Sequence, residues 1–127
     1  MTHWPEDHDV ADFDRAWYSV YPMAGCAVVT AGGEIDVQTS SGLHKAVEAA
    51  LASASCIVFD LSRVSFVDSS GFGVLIVASN RARQNGGSVA LVSPPEMVRK
   101  ILAGTQLQQA FAVHDRVEDA VATLNGD

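Results

Sequence analysis

From Trp17 onward, apolar and polar positions follow one another in short, regular blocks. Residues 17–21 alternate and are rich in aromatics, which predicts a first strand. Residues 22–25 read as a turn, and residues 26–30 as a second strand forming a hairpin with the first. Ala31-Gly32-Gly33 then loosens the backbone, and Glu34-Ile35-Asp36 forms the edge before a helix. In that helix Leu43, Ala46, Val47, Ala50 and Leu51 recur at the three-four spacing of one buried face. Thr39 or Ser40 is placed to cap it, whereas His44 and Lys45 fall off the stripe and read as surface residues. After a turn over 53–55, Cys56-Ile57-Val58-Phe59 is wholly apolar, the pattern of a strand covered on both faces. That strand ends at Asp60, and residues 61–67 read as a connection.

A second helix is predicted over residues 70–84. Its first half is apolar nearly all round (Phe72, Val74, Leu75, Ile76, Val77), and its second half is polar. Such a half-helix is deeply buried, partly reserved for a partner, or both. Leu75 and Ile76 are expected to face inward, with Phe72 near the rim. Asn85-Gly86-Gly87 ends the helix by the left-handed route that glycine permits, and Ser88 to Val92 forms the next strand. Pro94-Pro95 opens a third helix with Met97, Val98, Ile101 and Leu102 on its apolar face, and Gly104 stops it. Residues 107–113 contain a short final strand around Phe111, and Val117, Ala120, Val121 and Leu124 place a last amphipathic helix. This alternation predicts an α/β fold: one mixed, mostly parallel sheet of four to five strands, its first strand antiparallel, packed with about four helices.

Composition narrows the function. A chain of 127 residues with 48% hydrophobic positions makes one folded domain with one core. Residues 17–127 carry the pattern, and residues 1–16, with Glu6, Asp7, Asp9, Asp12 and Asp14, read as a mobile acidic tail. His3 and His8 lie in that tail, and no metal site or cofactor is expected. The net charge of −7, with no cluster of Lys and Arg, argues against direct nucleic-acid binding and for a basic patch on a protein partner. The apolar runs are too short to cross a bilayer and no export signal opens the chain, so a cytoplasmic protein is expected. Its two cysteines, Cys26 and Cys56, lack zinc-site spacing and read as buried reduced thiols, with a disulfide between neighbouring strands left open.

The chain is organised around Phe66-Val67-Asp68-Ser69-Ser70-Gly71-Phe72-Gly73, where an apolar strand gives way to an apolar helix. The first turn of a helix presents unpaired N–H groups and a partial positive charge. Ser and Asp serve there as caps, and the same geometry suits a phosphate. A hydroxyl at this point can be a cap, a phosphate acceptor, or both. Gly71 and Gly73 sit inside the first turn, where each costs about 1 kcal/mol against Ala. A plain cap does not require them, whereas close approach by another molecule does.

Asp68-Ser69-Ser70-Gly71 between strand and helix resembles the phosphorylation motif of the STAS-domain anti-sigma factor antagonists. Gly33-Glu34-Ile35-Asp36, Asp60-Leu61-Ser62 with Phe66, and Gly86-Gly87 agree with that family in order and spacing, over residues 20–124. The resemblance implies the STAS fold and a partner switch. The unphosphorylated protein binds an anti-sigma factor that is a serine kinase with an ATP-binding lid, and so frees a sigma factor. The kinase then phosphorylates the motif serine, the complex dissociates, and a metal-dependent serine phosphatase resets the protein. By the same resemblance Ser70 is the acceptor, Asp68 and Ser69 support it, and Asp36 is the acidic contact in the neighbouring loop. Glu34, Gly71, Phe72 and Gly73 complete the implied partner surface, Phe72 standing where the family commonly has Leu. For Asp36 the role of an ordinary helix-start residue stays open.

Two other classes are carried beside this one. A non-switching STAS subunit of a signalling scaffold or lipid-transport complex would share the fold without the phosphate chemistry. A Ser70 hydrolase would need a base and an orienting acid, yet no motif ties His3, His8, His44 or His114 to Ser70. The Gly-x-Ser-x-Gly elbow is absent, the Rossmann fingerprint lacks its third glycine because Ile76 stands there, and no P-loop occurs. The protein is therefore read as a regulator, not an enzyme.

Overall fold

A computed structural model describes residues 15–126. Its sheet has five strands in the order β1-β2-β3-β4-β5: Ala16–Met23, Cys26–Ile35, Cys56–Val67, Ser88–Val92 and Ala112–His114. The pair β1/β2 is antiparallel and every later pair is parallel. Four α-helices complete the described chain: α1 Ser40–Ser53, α2 Ser69–Gln84, α3 Glu96–Ala103 and α4 Val117–Leu124, with a short 3₁₀ turn at Gln106–Gln109. This is the α/β architecture expected from the alternation of patterns.

Side-chain alternation along the central strands builds two cores. Ala27, Val29 and Ala31 of β2, Ile57, Phe59 and Leu61 of β3, and Val89 and Leu91 of β4 face α1, α2 and α3. The residues between them, Val28, Val58, Ala90 and Val92, face α4 through Ala120 and Val121. Coverage on both faces explains why residues 56–59 contain no polar position.

The strands outrun their sequence signals. β2 does not end at Thr30; it continues through Ala31-Gly32-Gly33 to Ile35, with register shifts between Thr30 and Gly32 and between Gly33 and Glu34. β3 does not end at Asp60 either, and residues 61–67 are strand, not connection, paired with β2 through Ile35↔Val67. β4 leaves β3 at Asp60↔Val92, so beyond that point β2 and β3 run on as a ribbon. The ribbon is half exposed, with Ser62, Arg63, Ser65 and Phe66 at the surface, which erases the apolar run that marks residues 56–59. It carries the β2–α1 and β3–α2 loops together to one end of the sheet.

Smaller differences have local causes. Thr39 precedes α1 without capping it, because its hydroxyl accepts from the Asp36 N–H at 2.8 Å and donates to the Glu34 carbonyl at 2.8 Å. The last strand begins after Phe111, whose ring is buried against Phe72. Ile101, expected on the apolar face of α3, is exposed, while Val98 and Leu102 bury. Ala16 belongs to β1 and not to the acidic tail, whereas residues 1–14 of that expected tail, His3 and His8 included, lie outside the described residues. No helix among the described residues is long and apolar enough to cross a membrane.

Candidate functional site

The start of α2 is capped by Asp68. Its Oδ1 accepts from the N–H of Ser70 at 2.8 Å and of Gly71 at 3.1 Å. The Asp68 N–H donates to the Ile35 carbonyl at 2.9 Å, which ties the β3–α2 turn to the end of β2. Gly71 is required at this junction for a reason the sequence does not show. A Cβ there would stand 2.5 Å from Ile35 Cγ2, so the glycine lets α2 close onto the ribbon and does not open a surface. Gly73 has open space around its Cα and is the glycine of the pair that leaves room for another molecule.

With Asp68 serving the free N–H groups, the serines are released from that task. Among the described residues neither the Ser69 nor the Ser70 hydroxyl makes a hydrogen bond. Ser69 is exposed and Ser70 half-buried. One and two turns further along the same face of α2 come Gly73 and Val77, the latter an exposed apolar side chain. The division of labour is measurable. Asp68→Ala is expected to lower stability by about 1 kcal/mol, the usual loss for a deleted N-cap. Ser70→Ala should change it by less than about 0.5 kcal/mol, as for a surface residue. Urea unfolding of the two variants checks this, and equal losses would mean that the Ser70 hydroxyl shares the capping.

The neighbouring loop is built on a second Asp. Asp36 Oδ1 accepts from the N–H of Gln38 at 2.9 Å and of Thr39 at 3.1 Å. Its Oδ2 is held by the Arg15 guanidinium, which also reaches Glu34 Oε1 at 3.1 Å and Gln38 Oε1 at 3.1 Å. Partial desolvation pushes the Asp36 carboxyl upward. The Gln38 and Thr39 N–H donors, the Arg15 charge and the Thr39 hydroxyl together outweigh it and hold the group below the ordinary carboxylate range. Asp36 is therefore an anion at neutral pH. Arg15 also contributes its backbone, since its carbonyl accepts from the Glu34 N–H at 2.8 Å.

Glu34, Asp36, Asp68, Ser69, Ser70 and Gly73 thus stand at one end of the sheet, around two tied loops. Phe72 does not stand with them. It is 8% exposed, not at the rim, and its ring lies 6.3 Å from that of Phe111, which leaves a partner little to touch. Gly71 is likewise buried. Two further members of the surface give no signal in the sequence. Arg15 sits beside the acidic stretch and carries no local signal of its long-range pairs. Val37, next to Asp36, is an apolar side chain left 72% exposed. Among the described residues no group of three His, Cys, Asp or Glu is arranged to hold a metal ion.

Comparison with known proteins adds three findings. The family model described as the STAS domain matches residues 20–120. An anti-sigma F factor antagonist of Paenibacillus polymyxa is 31% identical over 104 residues, covering 79% of this chain and 87% of that protein. Among solved structures, an anti-sigma factor antagonist from Mycobacterium paratuberculosis superposes with a TM-score of 0.72 at 28% identity, covering 87% of this chain and 94% of that one. The Bacillus cell fate determinant SpoIIAA in its phosphorylated form shares the fold, with a TM-score of 0.69 at 20% identity over 84% of this chain and 97% of that one.

Proposed function

This chain belongs to the STAS domain family, and from that premise we propose that it is an anti-sigma factor antagonist switched by phosphorylation of Ser70. Unphosphorylated, it binds an anti-sigma factor with serine kinase activity and so frees a sigma factor. The observation that carries the reading is the free hydroxyl of Ser70, half-buried at a helix start already capped by Asp68. A serine with no structural duty can accept a phosphoryl group without dismantling the turn that presents it. The relative from Paenibacillus polymyxa bears the name of such an antagonist, and a fold neighbour is known in a phosphorylated form.

The surface has the chemistry of a docking site for a basic protein. Glu34, Asp36 and Asp68 supply three carboxylates, two of them paired with Arg15, in a chain of net charge −7. Val37 and Val77 add exposed apolar area at or near the same end. Phosphorylation at Ser70 adds roughly 1.5 to 2 negative charges among those carboxylates. A serine phosphatase then returns the protein to its binding form. Ser70 is an acceptor in this scheme and not a catalyst. Among the described residues no histidine hydrogen-bonds its hydroxyl, as a hydrolase would require.

The test is phosphoryl transfer. Incubated with the anti-sigma factor kinase and Mg-ATP, the protein is expected to gain about 80 Da on the peptide containing Ser70. Ser70→Ala should gain nothing. Transfer to Ser69, or none with a kinase that nevertheless binds, would replace the switch by a fixed STAS subunit.

A further inference from the structure

The starts of β2 and β3, at the end of the sheet away from the Asp36 and Asp68 loops, bring the two cysteines together. The parallel pairing begins at Ala27↔Ile57, so Cys26 and Cys56 stand one step earlier on adjacent strands. Both belong to the core facing α4, Cys26 buried at 1% exposure and Cys56 half-buried. Neighbouring strands lie about 4.8 Å apart, inside the Cα separation that a disulfide spans but near its short end. A bond between the two sulfurs would join strands that are already paired, and thiol–disulfide exchange would reopen it.

The surroundings make the two thiols unequal. Asn125, at the end of α4, donates through Nδ2 to the Ala24 carbonyl at 2.9 Å and presents Oδ1 to Cys26 Sγ at 3.9 Å. The β1–β2 turn and the last turn of α4 thus close over Cys26. Burial, followed by a hydrogen bond with Cys56, pushes the Cys26 thiol up to about 12. Cys26 is kept protonated, and Cys56 is the more exposed residue of the two.

We propose that Cys26 and Cys56 form a peroxide-sensitive dithiol that closes reversibly to a disulfide joining β2 to β3, with Cys56 reacting first. The Cys56 thiolate attacks one oxygen of hydrogen peroxide, the O–O bond breaks, and the departing hydroxide takes up the thiol proton as water. Cys56 becomes a sulfenic acid. The Cys26 sulfur then attacks the Cys56 sulfur, the S–O bond breaks, and the leaving hydroxide carries off the Cys26 proton as a second water. Two thiols lose two electrons and one peroxide gains them. A small dithiol reverses the change by exchange.

The experiment uses the full-length protein, hydrogen peroxide, an alkylating quench and intact-mass measurement. Wild type is expected to become lighter by about 2 Da, to lose both alkylatable thiols within one chain, and to regain them with dithiothreitol. Cys26→Ser should stop at a sulfenic acid on Cys56 that dimedone traps, whereas Cys56→Ser should leave Cys26 unreacted under the same exposure. The wild-type result stands whether or not either variant folds. Recovery of both thiols after excess peroxide overturns the proposal. So does disulfide formation only between chains, or a gain of about 32 Da on Cys56 with Cys26 still free. None of these outcomes depends on the Ser70 switch.

Discussion

Phosphorylated at Ser70, the protein is expected to bind its anti-sigma factor at least about 100-fold more weakly while keeping its fold, since a phosphate that must shed water and fit where the partner had packed against a hydroxyl costs several kcal/mol. The two halves of that expectation rest on different atoms. Affinity falls because the phosphate sets a bulky, hydrated dianion beside Asp68, on a loop tied through Ile35 to the one holding Asp36 and Glu34, where Arg15 is already paired. The fold persists because the cap of α2 is the Asp68 carboxylate, and the Ser70 hydroxyl takes no part in it. Titration calorimetry with both forms, beside thermal unfolding of each, separates these claims. Ser70→Ala should bind like the unmodified protein. Ser70→Glu should lose only part of the affinity, because its single charge falls short of a phosphate. A phosphorylated form that binds unchanged would remove the switch. One whose melting temperature falls in step with affinity would make the effect unfolding and not a blocked interface.

The difference between Asp68 and Ser70 also shows how far the sequence could be read. Asp-Ser-Ser at a strand-to-helix junction announces a helix start with spare hydroxyls, because capping chemistry is local and three residues suffice to display it. Which side chain takes the N–H groups depends on the backbone angles of Asp68, and those are set by its hydrogen bond to Ile35, far off in sequence. The central strands were equally legible, since two covered faces leave only apolar residues between Cys56 and Phe59. The ribbon beyond Asp60 was not, because a half-exposed strand with one partner tolerates Ser62, Arg63 and Ser65. Phe72 marks another boundary. An aromatic in a first helical turn looks the same in sequence whether it meets a partner or, as here, Phe111.

Arg15 is the case where composition misled. It follows a run of Asp and Glu, and composition groups it with them as tail. Its significance comes from Gly33, which has φ +89° and lets the Arg15 carbonyl pass where a Cβ would lie 1.9 Å from that oxygen. The glycine, the strand start and the acidic loop form one unit. Close passage gives the Glu34 N–H its acceptor and brings the guanidinium over Glu34 and Asp36.

Gly33→Ala is accordingly expected to be among the most damaging single-methyl changes in the chain, lowering stability by about 3 kcal/mol. About 1 to 2 kcal/mol of that is the strain of an L-residue at positive φ. The remainder comes from pushing the start of β1 away and losing a backbone hydrogen bond, worth about 1 kcal/mol, together with the contacts made beside it. Gly25→Ala is the matched control. It shares φ +89° but has nothing within 4 Å of the added methyl, so it should lose only the strain. Arg15→Gln is the second control. It keeps the backbone and removes exposed ion pairs, for a change below about 1 kcal/mol. Urea unfolding of the three variants decides among these contributions. If Gly33→Ala and Gly25→Ala fall equally, the Arg15 carbonyl yields freely and the close approach holds nothing in place. If Gly33→Ala falls much further while Arg15→Gln hardly moves, the backbone of Arg15 anchors the acidic loop, and its side chain is left free to set the charge that a partner meets.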